Sequence, residues 1–209
     1  MTGFERIETE AQLALAARRL VEIEPRFAPV VAAGALPLRR RPDGFEALLS
    51  AIVSQQVSTA SAAAIWARVE AAGLSNATAM ARASDEDLRA VGLSRPKQRY
   101  ARGLAQTGLD YAALREASAE EVIDSLIAIP GIGRWTAEIY AKFALGHADV
   151  FAAGDLALQE AARGLFGLEA RPSEKQMREM AQAWSPLRAV AARALWVYYR
   201  LDKEREGIR

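Results

Sequence analysis

Helix-capping signals recur along this chain and leave few folds open to it. At four places a Ser or Thr is followed three residues later by Gln, Glu or Asp: Thr9 with Gln12, Ser84 with Asp87, Ser118 with Glu121, and Ser173 with Gln176. In such a pair the first side chain caps the helix and the second reaches back to the amide of the cap. Apolar residues then recur at helical spacing, and no alternating strand pattern of useful length occurs. The sequence predicts an all-α protein.

Single capping residues and prolines predict the remaining helices. These starts fall at Ser58, Ser94, Asp155 and Ser185-Pro186. A further helix is predicted from the apolar stripe of Phe45, Leu48, Leu49 and Ile52. Residues 27 to 31 alone are ambiguous between helix and strand.

Composition excludes several classes of protein but selects none. The chain has no cysteine, which excludes disulfides, a thiolate nucleophile and cysteine-bound zinc or iron–sulfur clusters. Its net charge of +1 gives no overall signal for nucleic acid, so any affinity for DNA must come from a local basic face. The chain has neither an apolar run of membrane-spanning length nor a signal-peptide core, and we expect a soluble intracellular protein.

Residues 129 to 137, Ile-Pro-Gly-Ile-Gly-Arg-Trp-Thr-Ala, predict a tight turn between two helices. Pro130 ends the first helix, while Gly131 and Gly133 allow positive φ angles and close approach by another molecule. The amides of Gly131, Gly133 and Arg134 are then expected at a helix N-terminus, where the dipole favours an anion such as a DNA phosphate. Taken alone, the glycines fit a corner that serves only packing equally well.

A single carboxylate, Asp155, stands at the head of a helix downstream of this turn. Taken alone it is an ordinary N-cap. Together with a phosphate-binding turn it suits the cleavage of an N-glycosidic bond. An ionised carboxylate can stabilise the positive charge that develops on a sugar as its base departs, and can orient the attacking water.

These two segments resemble the helix-hairpin-helix GPD superfamily of DNA glycosylases, and the flanking residues resemble its alkylpurine branch, the DNA-3-methyladenine glycosylase II type. The resemblance runs from about residue 43 to 200. It implies two helical lobes that share helices, with the active site in the cleft between them and the hairpin at about residues 119 to 145. It also implies that Asp155 is catalytic, although the proline of the family's name-giving tripeptide is missing before Gly154.

The resemblance further implies a pocket for a flipped base and no strand cleavage. Endonuclease III carries its sugar-attacking lysine two positions after the second hairpin glycine, where this chain has Trp135. We therefore expect a monofunctional glycosylase. Trp135 and Trp196 are expected to line the pocket, because electron-rich rings suit a positively charged alkylated purine. Ile139, which aligns with the pocket tyrosine of the close relatives, and its neighbour Tyr140 are also expected to line the pocket.

A third matching block, Ala-Ile-Val-Ser-Gln-Gln-Val-Ser at residues 51 to 58, resembles the family loop that fills the gap left by the flipped nucleotide. Gln56 takes the wedge position and Gln55 lies beside it. With Gly131, Gly133, Arg134 and Thr136 they form the predicted set of DNA contacts.

The resemblance also implies a monovalent cation, Na⁺ or K⁺, held by the backbone carbonyls of Ile127, Ile129 and Ile132, and no other cofactor. We expect residues 1 to 209 to form a single catalytic domain without an extra N-terminal β domain. We also expect a monomer in the bacterial cytoplasm, associated with the nucleoid, whose partner is double-stranded DNA containing damaged bases and not a membrane.

Three alternatives remain open at this point. The chain could be a glycosylase for deaminated or oxidised bases, a non-catalytic helix-hairpin-helix DNA-binding module, or an all-α interaction protein. Trp66 and Trp184 are expected in the core, and His147, the only histidine, is expected to be solvated.

Overall fold

The computed structural model describes residues 5–205 and is built from helices. Within that range it has thirteen α-helices and no β-strand, which confirms the predicted all-α class. In chain order the helices are α1 (Glu10–Ile23), α2 (Ala28–Ala32), α3 (Phe45–Ser54), α4 (Thr59–Ala71), α5 (Ala77–Arg82), α6 (Asp85–Ala90), α7 (Arg95–Gln106), α8 (Tyr111–Glu116), α9 (Ala119–Ile127), α10 (Arg134–Phe143), α11 (Leu156–Phe166), α12 (Glu174–Gln182) and α13 (Arg188–Arg205). Among residues 5–205, none of these helices combines the length and the apolar character that a membrane crossing requires.

The chain divides into two compact units. The terminal unit comprises residues up to Arg40 together with those from Ala141 onward, and the central unit is Arg41–Tyr140. The second division falls within α10. The sequence-based expectation of a single catalytic domain stays a prediction.

The four capping pairs form as predicted. In the first, Thr9 Oγ1 accepts the amide of Gln12 at 3.2 Å, and Gln12 Oε1 accepts the amide of Thr9 at 3.1 Å. The pairs that begin α6, α9 and α12 are reciprocal in the same way. The ambiguous residues 27 to 31 are helical, because a 3-10 turn at Pro25–Phe27 leads directly into α2.

The predicted start of the last helix is wrong. Helix α13 begins at Arg188 and not at Ser185-Pro186. The reason is Asp149, which takes over the role of the cap. Its carboxylate accepts Ser185 Oγ at 2.8 Å, the amide of Arg188 at 3.4 Å and the Arg188 guanidinium at 2.7 and 2.9 Å.

Aromatic rings form the centre of the terminal unit. Trp184 is almost fully buried, as predicted, and its ring lies 5.4 to 5.6 Å from the rings of Phe27, Phe151 and Phe166. Trp66, in the central unit, is half-buried and not a core residue. The core of that unit is aliphatic, with Leu48, Leu49, Ile52, Met80, Leu88, Leu104 and Leu126 all buried.

Candidate functional site

The turn between α9 and α10 closes through two backbone hydrogen bonds. The amide of Ile129 donates to the carbonyl of Leu126 at 3.1 Å, and the amide of Ile132 donates to that of Ile129 at 3.0 Å. Gly131 lies in this turn at φ +94°, a conformation that L side chains rarely adopt. A Cβ at Gly131 would also collide with the ring of Tyr100 on α7. The turn itself therefore requires glycine at this position.

Gly133 is a glycine of a different kind. Glycine would allow a positive φ here, but Gly133 lies outside the left-handed region. A Cβ at this position would meet no atom within 4 Å. Its carbonyl accepts the amide of Ala137 at 3.1 Å, so Gly133 is the residue from which α10 starts. Among the described residues, no contact requires glycine at position 133. The absence of a side chain leaves open space at the start of α10.

The N-terminus of α10 is open to an incoming molecule. Gly133, Arg134 and Trp135 are exposed, whereas Thr136 is buried. The first amides of a helix have no partner within it, and they carry the positive end of its dipole. The Arg134 guanidinium, half exposed, lies 3.8 Å from the buried carboxylate of Glu138. The arrangement is suited to an anion.

The three carbonyls predicted to hold a cation belong to the same turn. Ile129 and Ile132 are buried and Ile127 is exposed. The Ile129 carbonyl accepts the amide of Ile132 and keeps a second lone pair. Neutral carbonyl oxygens suit a hard cation, so the donor set fits the expected Na⁺ or K⁺. Within residues 5–205, no cluster of His, Asp and Glu side chains offers an alternative metal site.

The loop from α3 to α4 presents Gln56 outward. Gln56 is exposed and has φ +56°, a strained region for a residue other than glycine. Gln55 caps the C-terminus of α3, and its Nε2 donates to the carbonyl of Gly131 at 2.8 Å. The hairpin turn and the loop tip are therefore joined by a direct hydrogen bond.

A cavity of about 550 Å³ lies beside this loop and the hairpin. Residues from three segments of the central unit line it, among them Gln56, Ser94, Lys97, Tyr100, Gly131 and Gly133. The cavity therefore brings together the predicted wedge and both hairpin glycines.

Lys97 is a functional candidate that the sequence did not indicate. It lies in the first turn of α7 with 8% of its surface exposed, and its Nζ donates to the carbonyl of Val53 at 2.7 Å. Burial lowers the pKa of Lys97. A cation at the C-terminal end of a helix interacts favourably with its dipole, here that of α3. No sequence signal could have found it, since a Lys at the start of a helix is usually solvated.

Asp155 is the N-cap of α11, as predicted. Its Oδ1 accepts the amides of Ala157 at 2.9 Å and Leu158 at 3.4 Å. The side chain is partly exposed, and its neighbour Leu156 is exposed. A hydrogen bond from the interior holds the segment before Asp155. The buried Gln159 donates its Nε2 to the carbonyl of Ala153 at 2.9 Å. The carboxylate is thus rigidly held at the surface of the terminal unit.

The predicted pocket residues of α10 have different environments. Trp135 is 49% exposed and Ile139 is half-buried. Tyr140 is buried, and its hydroxyl accepts the amide of Gly44 at 2.9 Å just before α3. Burial raises the pKa of Tyr140. About half of the Trp135 surface is therefore exposed, whereas Tyr140 braces the start of α3.

Trp196 on α13 is half-buried and has arginines against its ring. Cζ of Arg39 lies 3.6 Å from the ring centroid, and Cζ of Arg200 lies 5.2 Å away. Arg39 adopts φ +50°, again unusual for a residue with a side chain. No sequence signal indicated this contact.

The expectation of a solvated His147 is wrong. The residue is buried in the terminal unit, where its amide donates to the carbonyl of Ala141 at 3.0 Å. Within the described part of the chain, its Nε2 has no hydrogen-bond partner. Burial, and to a lesser extent the charge of Arg6, lowers the pKa of His147 to about 4. A neutral imidazole with this environment is a structural residue.

Comparison with known proteins gives consistent matches. Residues 49–186, more than half of the chain, match the family model described as HhH-GPD superfamily base excision DNA repair protein. The alkylbase DNA glycosidase-like protein mag2 of Schizosaccharomyces pombe is 31% identical over 124 residues, which are 57% of this chain and 58% of that protein. The putative DNA-3-methyladenine glycosylase YfjP of Bacillus subtilis is 32% identical over 115 residues, 53% of this chain and 40% of that protein. The chain thus spans about half the length of these two relatives.

A solved structure matches over a larger share. The DNA-3-methyladenine glycosidase of Bacillus halodurans has a TM-score of 0.83 and 34% sequence identity to this chain. The match covers 90% of this chain and 91% of that one.

Proposed function

This chain belongs to the HhH-GPD superfamily of base excision DNA repair proteins, and we propose that it is a monofunctional DNA glycosylase for alkylated purines. Its substrates would include 3-methyladenine and 7-methylguanine in double-stranded DNA. The observation that carries the proposal is Asp155, a carboxylate held rigidly at the head of α11 and partly exposed. The names of the matched proteins from B. halodurans and B. subtilis support the choice of 3-methyladenine.

Asp155 would act on the sugar of the damaged nucleotide. The bond between C1′ and the purine nitrogen breaks, and its electron pair leaves with the base, which departs neutral if it was alkylated and cationic. The ionised carboxylate of Asp155 stabilises the positive charge that develops at C1′. Water then forms the new bond to C1′ and loses a proton to the carboxylate or to solvent. The products are a free base and an abasic site.

The hairpin would hold the DNA backbone. The amides of Gly133 and Arg134 donate to a phosphate at the start of α10, and Gly133 lets that phosphate approach closely. The carbonyls of Ile127, Ile129 and Ile132 would hold the Na⁺ or K⁺, whose charge adds to the attraction for phosphate. These contacts carry no sequence information, which suits an enzyme that must act at any sequence.

Trp135 supports hydrolysis without strand cleavage. An exposed aromatic ring occupies the place of the lyase lysine, so no amine is available there to form a Schiff base with the sugar. With Ile139, Trp135 would contact the flipped base. Tyr140 is a weaker candidate, because its hydroxyl is already bound to Gly44.

We further propose that the protein needs no other cofactor and acts as a monomer on chromosomal DNA in the cytoplasm.

The second candidate is a glycosylase for uncharged deaminated or oxidised bases. It is favoured by one observation, the two arginines at Trp196. Guanidinium groups on that ring disfavour a cationic base and tolerate a neutral one.

The test is release of base from duplex DNA, followed with and without alkali. Methylated DNA would be compared with duplexes that carry hypoxanthine or 8-oxoguanine. We expect release of 3-methyladenine and 7-methylguanine, with strand breaks appearing after alkali treatment alone. Release of hypoxanthine or 8-oxoguanine in their place supports the second candidate, and breaks without alkali contradict the role given to Trp135. Salt-sensitive DNA binding without release of any base would indicate a binding module.

A further inference from the structure

Two hydrogen bonds hold the loop immediately before the strained residue Gln56. The Val53 carbonyl in the last turn of α3 accepts Nζ of Lys97 at 2.7 Å. Gln55 donates its Nε2 to the carbonyl of Gly131 at 2.8 Å. Gln56 follows at φ +56° and is exposed. The two hydrogen bonds therefore fix the backbone from which Gln56 projects.

Helix α7 connects these two holding points. It carries Lys97 and, three residues later on the same helical face, Tyr100. The ring of Tyr100 packs so closely on Gly131 that no side chain fits there. One face of α7 therefore contacts both the end of α3 and the hairpin turn.

Burial of the Lys97 side chain has a cost in free energy that other contacts must offset. A lysine loses hydration and side-chain entropy when it is buried, and the cavity beside it offers no carboxylate among its lining residues. Its ammonium is compensated by the carbonyl of Val53 and by the dipole of α3. Both interactions are made at the C-terminal end of α3. They are therefore lost if that end of the helix moves away from Lys97.

We infer that Lys97 and Gln55 are positioning residues that hold the wedge Gln56 at a fixed distance from the phosphate-binding hairpin. The inference rests on the proposed function, since it presupposes that Gln56 enters the DNA stack. A rigid wedge inserts without losing conformational entropy, so the braces favour the flipped state of the nucleotide. Binding to undamaged DNA depends on the hairpin amides and on exposed charge, and the buried ammonium of Lys97 contributes to neither.

The test uses the whole chain and a duplex with a stable abasic-site analogue beside 2-aminopurine. Insertion of Gln56 unstacks the 2-aminopurine and raises its fluorescence. We expect a clear rise with wild type, none with Gln56→Ala, and less than about a third of the wild-type rise with Lys97→Met or Gln55→Leu, equivalent to a loss of roughly threefold or more in the inserted population. Affinity for undamaged duplex should change less than about twofold in Lys97→Met, because the buried Lys97 is not among the predicted DNA contacts. Lys175→Met, at an exposed position of α12, is the matched control.

A double variant separates positioning from a general structural effect. In the Gln56→Ala background, Lys97→Met should leave the affinity for abasic-site duplex unchanged, because it acts through Gln56. A wild-type signal in Lys97→Met overturns the inference, as does an equal loss of affinity for undamaged DNA. If wild type itself gives no rise, the wedge and its braces both fail. Base release from methylated DNA still decides the proposed function separately.

Discussion

The guanidinium of Arg39 is stacked on Trp196, with Cζ 3.6 Å from the ring centroid. Trp196 is the ring on which a flipped, positively charged purine is expected to stack. Arg39, whose φ is +50°, therefore covers one face of the ring on which the base is expected to stack. A substrate that stacks on this face must first displace the arginine.

We predict that Arg39→Gln shifts substrate preference towards cationic bases. A cation–π contact is worth about 0.5 to 2 kcal/mol, so the ratio of 7-methylguanine to hypoxanthine excision should rise roughly 2- to 30-fold. Comparing kcat/KM for the two lesions cancels any general loss of DNA affinity. Arg171→Gln, in an exposed loop, is the control. An unchanged or lower ratio would show that no base stacks on that face.

The two hairpin glycines should respond differently to the same substitution. Gly131→Ala forces a side chain into a positive φ and against Tyr100, which should lower the free energy of unfolding by about 2 to 4 kcal/mol. Gly133→Ala meets no neighbour within 4 Å, and because Ala is a poorer helix N-cap than Gly it should lower the free energy of unfolding by only about 0.5 to 1 kcal/mol.

Gly133→Ala should nevertheless weaken DNA binding. Its methyl group stands where a phosphate must approach, and losing a hydrogen bond to a charged group costs about 1.5 to 3 kcal/mol, or roughly 10- to 100-fold in Kd. Urea unfolding and titration with abasic-site duplex measure the two effects. A stable Gly133→Ala protein with wild-type affinity would contradict the role given to the α10 N-terminus.

His147 should make the protein less stable in mild acid. Its folded pKa of about 4 lies below the ordinary value of 6.5, so the unfolded chain takes up a proton first as the pH falls. The native state therefore loses stability from about pH 6.5 down to about pH 4, by about 2 kcal/mol between pH 7 and pH 5. Urea unfolding of wild type and His147→Gln at both pH values measures it. Equal pH dependence in the two proteins would exclude His147 as the cause.

Much of the fold could be predicted because the residues that determine a helix end lie close together in the sequence. Each capping pair needs two residues three positions apart, and all four pairs formed. The wrong start of α13 shows where this logic stops. Ser185 has the composition of a cap, but its hydroxyl binds Asp149, 36 residues away. A distant carboxylate cannot be recognised from the helix it serves.

In the candidate site, too, features set by neighbouring residues could be predicted, whereas contacts between distant residues could not. The positions of Asp155 and Gly131 follow from local rules for caps and turns, and the structure has both. Lys97 on Val53 and Arg39 on Trp196 join residues 44 and 157 positions apart. Such contacts depend on packing of distant helices, and so does the burial of His147. The sequence therefore indicated the residues proposed for chemistry and missed those that hold or cover them.

Asp155 is the carboxylate proposed to act on the sugar, and Asp155→Asn tests that role most directly. Asn caps a helix about as well as Asp, so stability and affinity for abasic-site DNA should remain close to wild type. Single-turnover release of 3-methyladenine from methylated duplex, measured with enzyme in excess, should fall at least about 100-fold because the charge that stabilises C1′ is gone. A folded Asp155→Asn protein that releases base at the wild-type rate would contradict the mechanism.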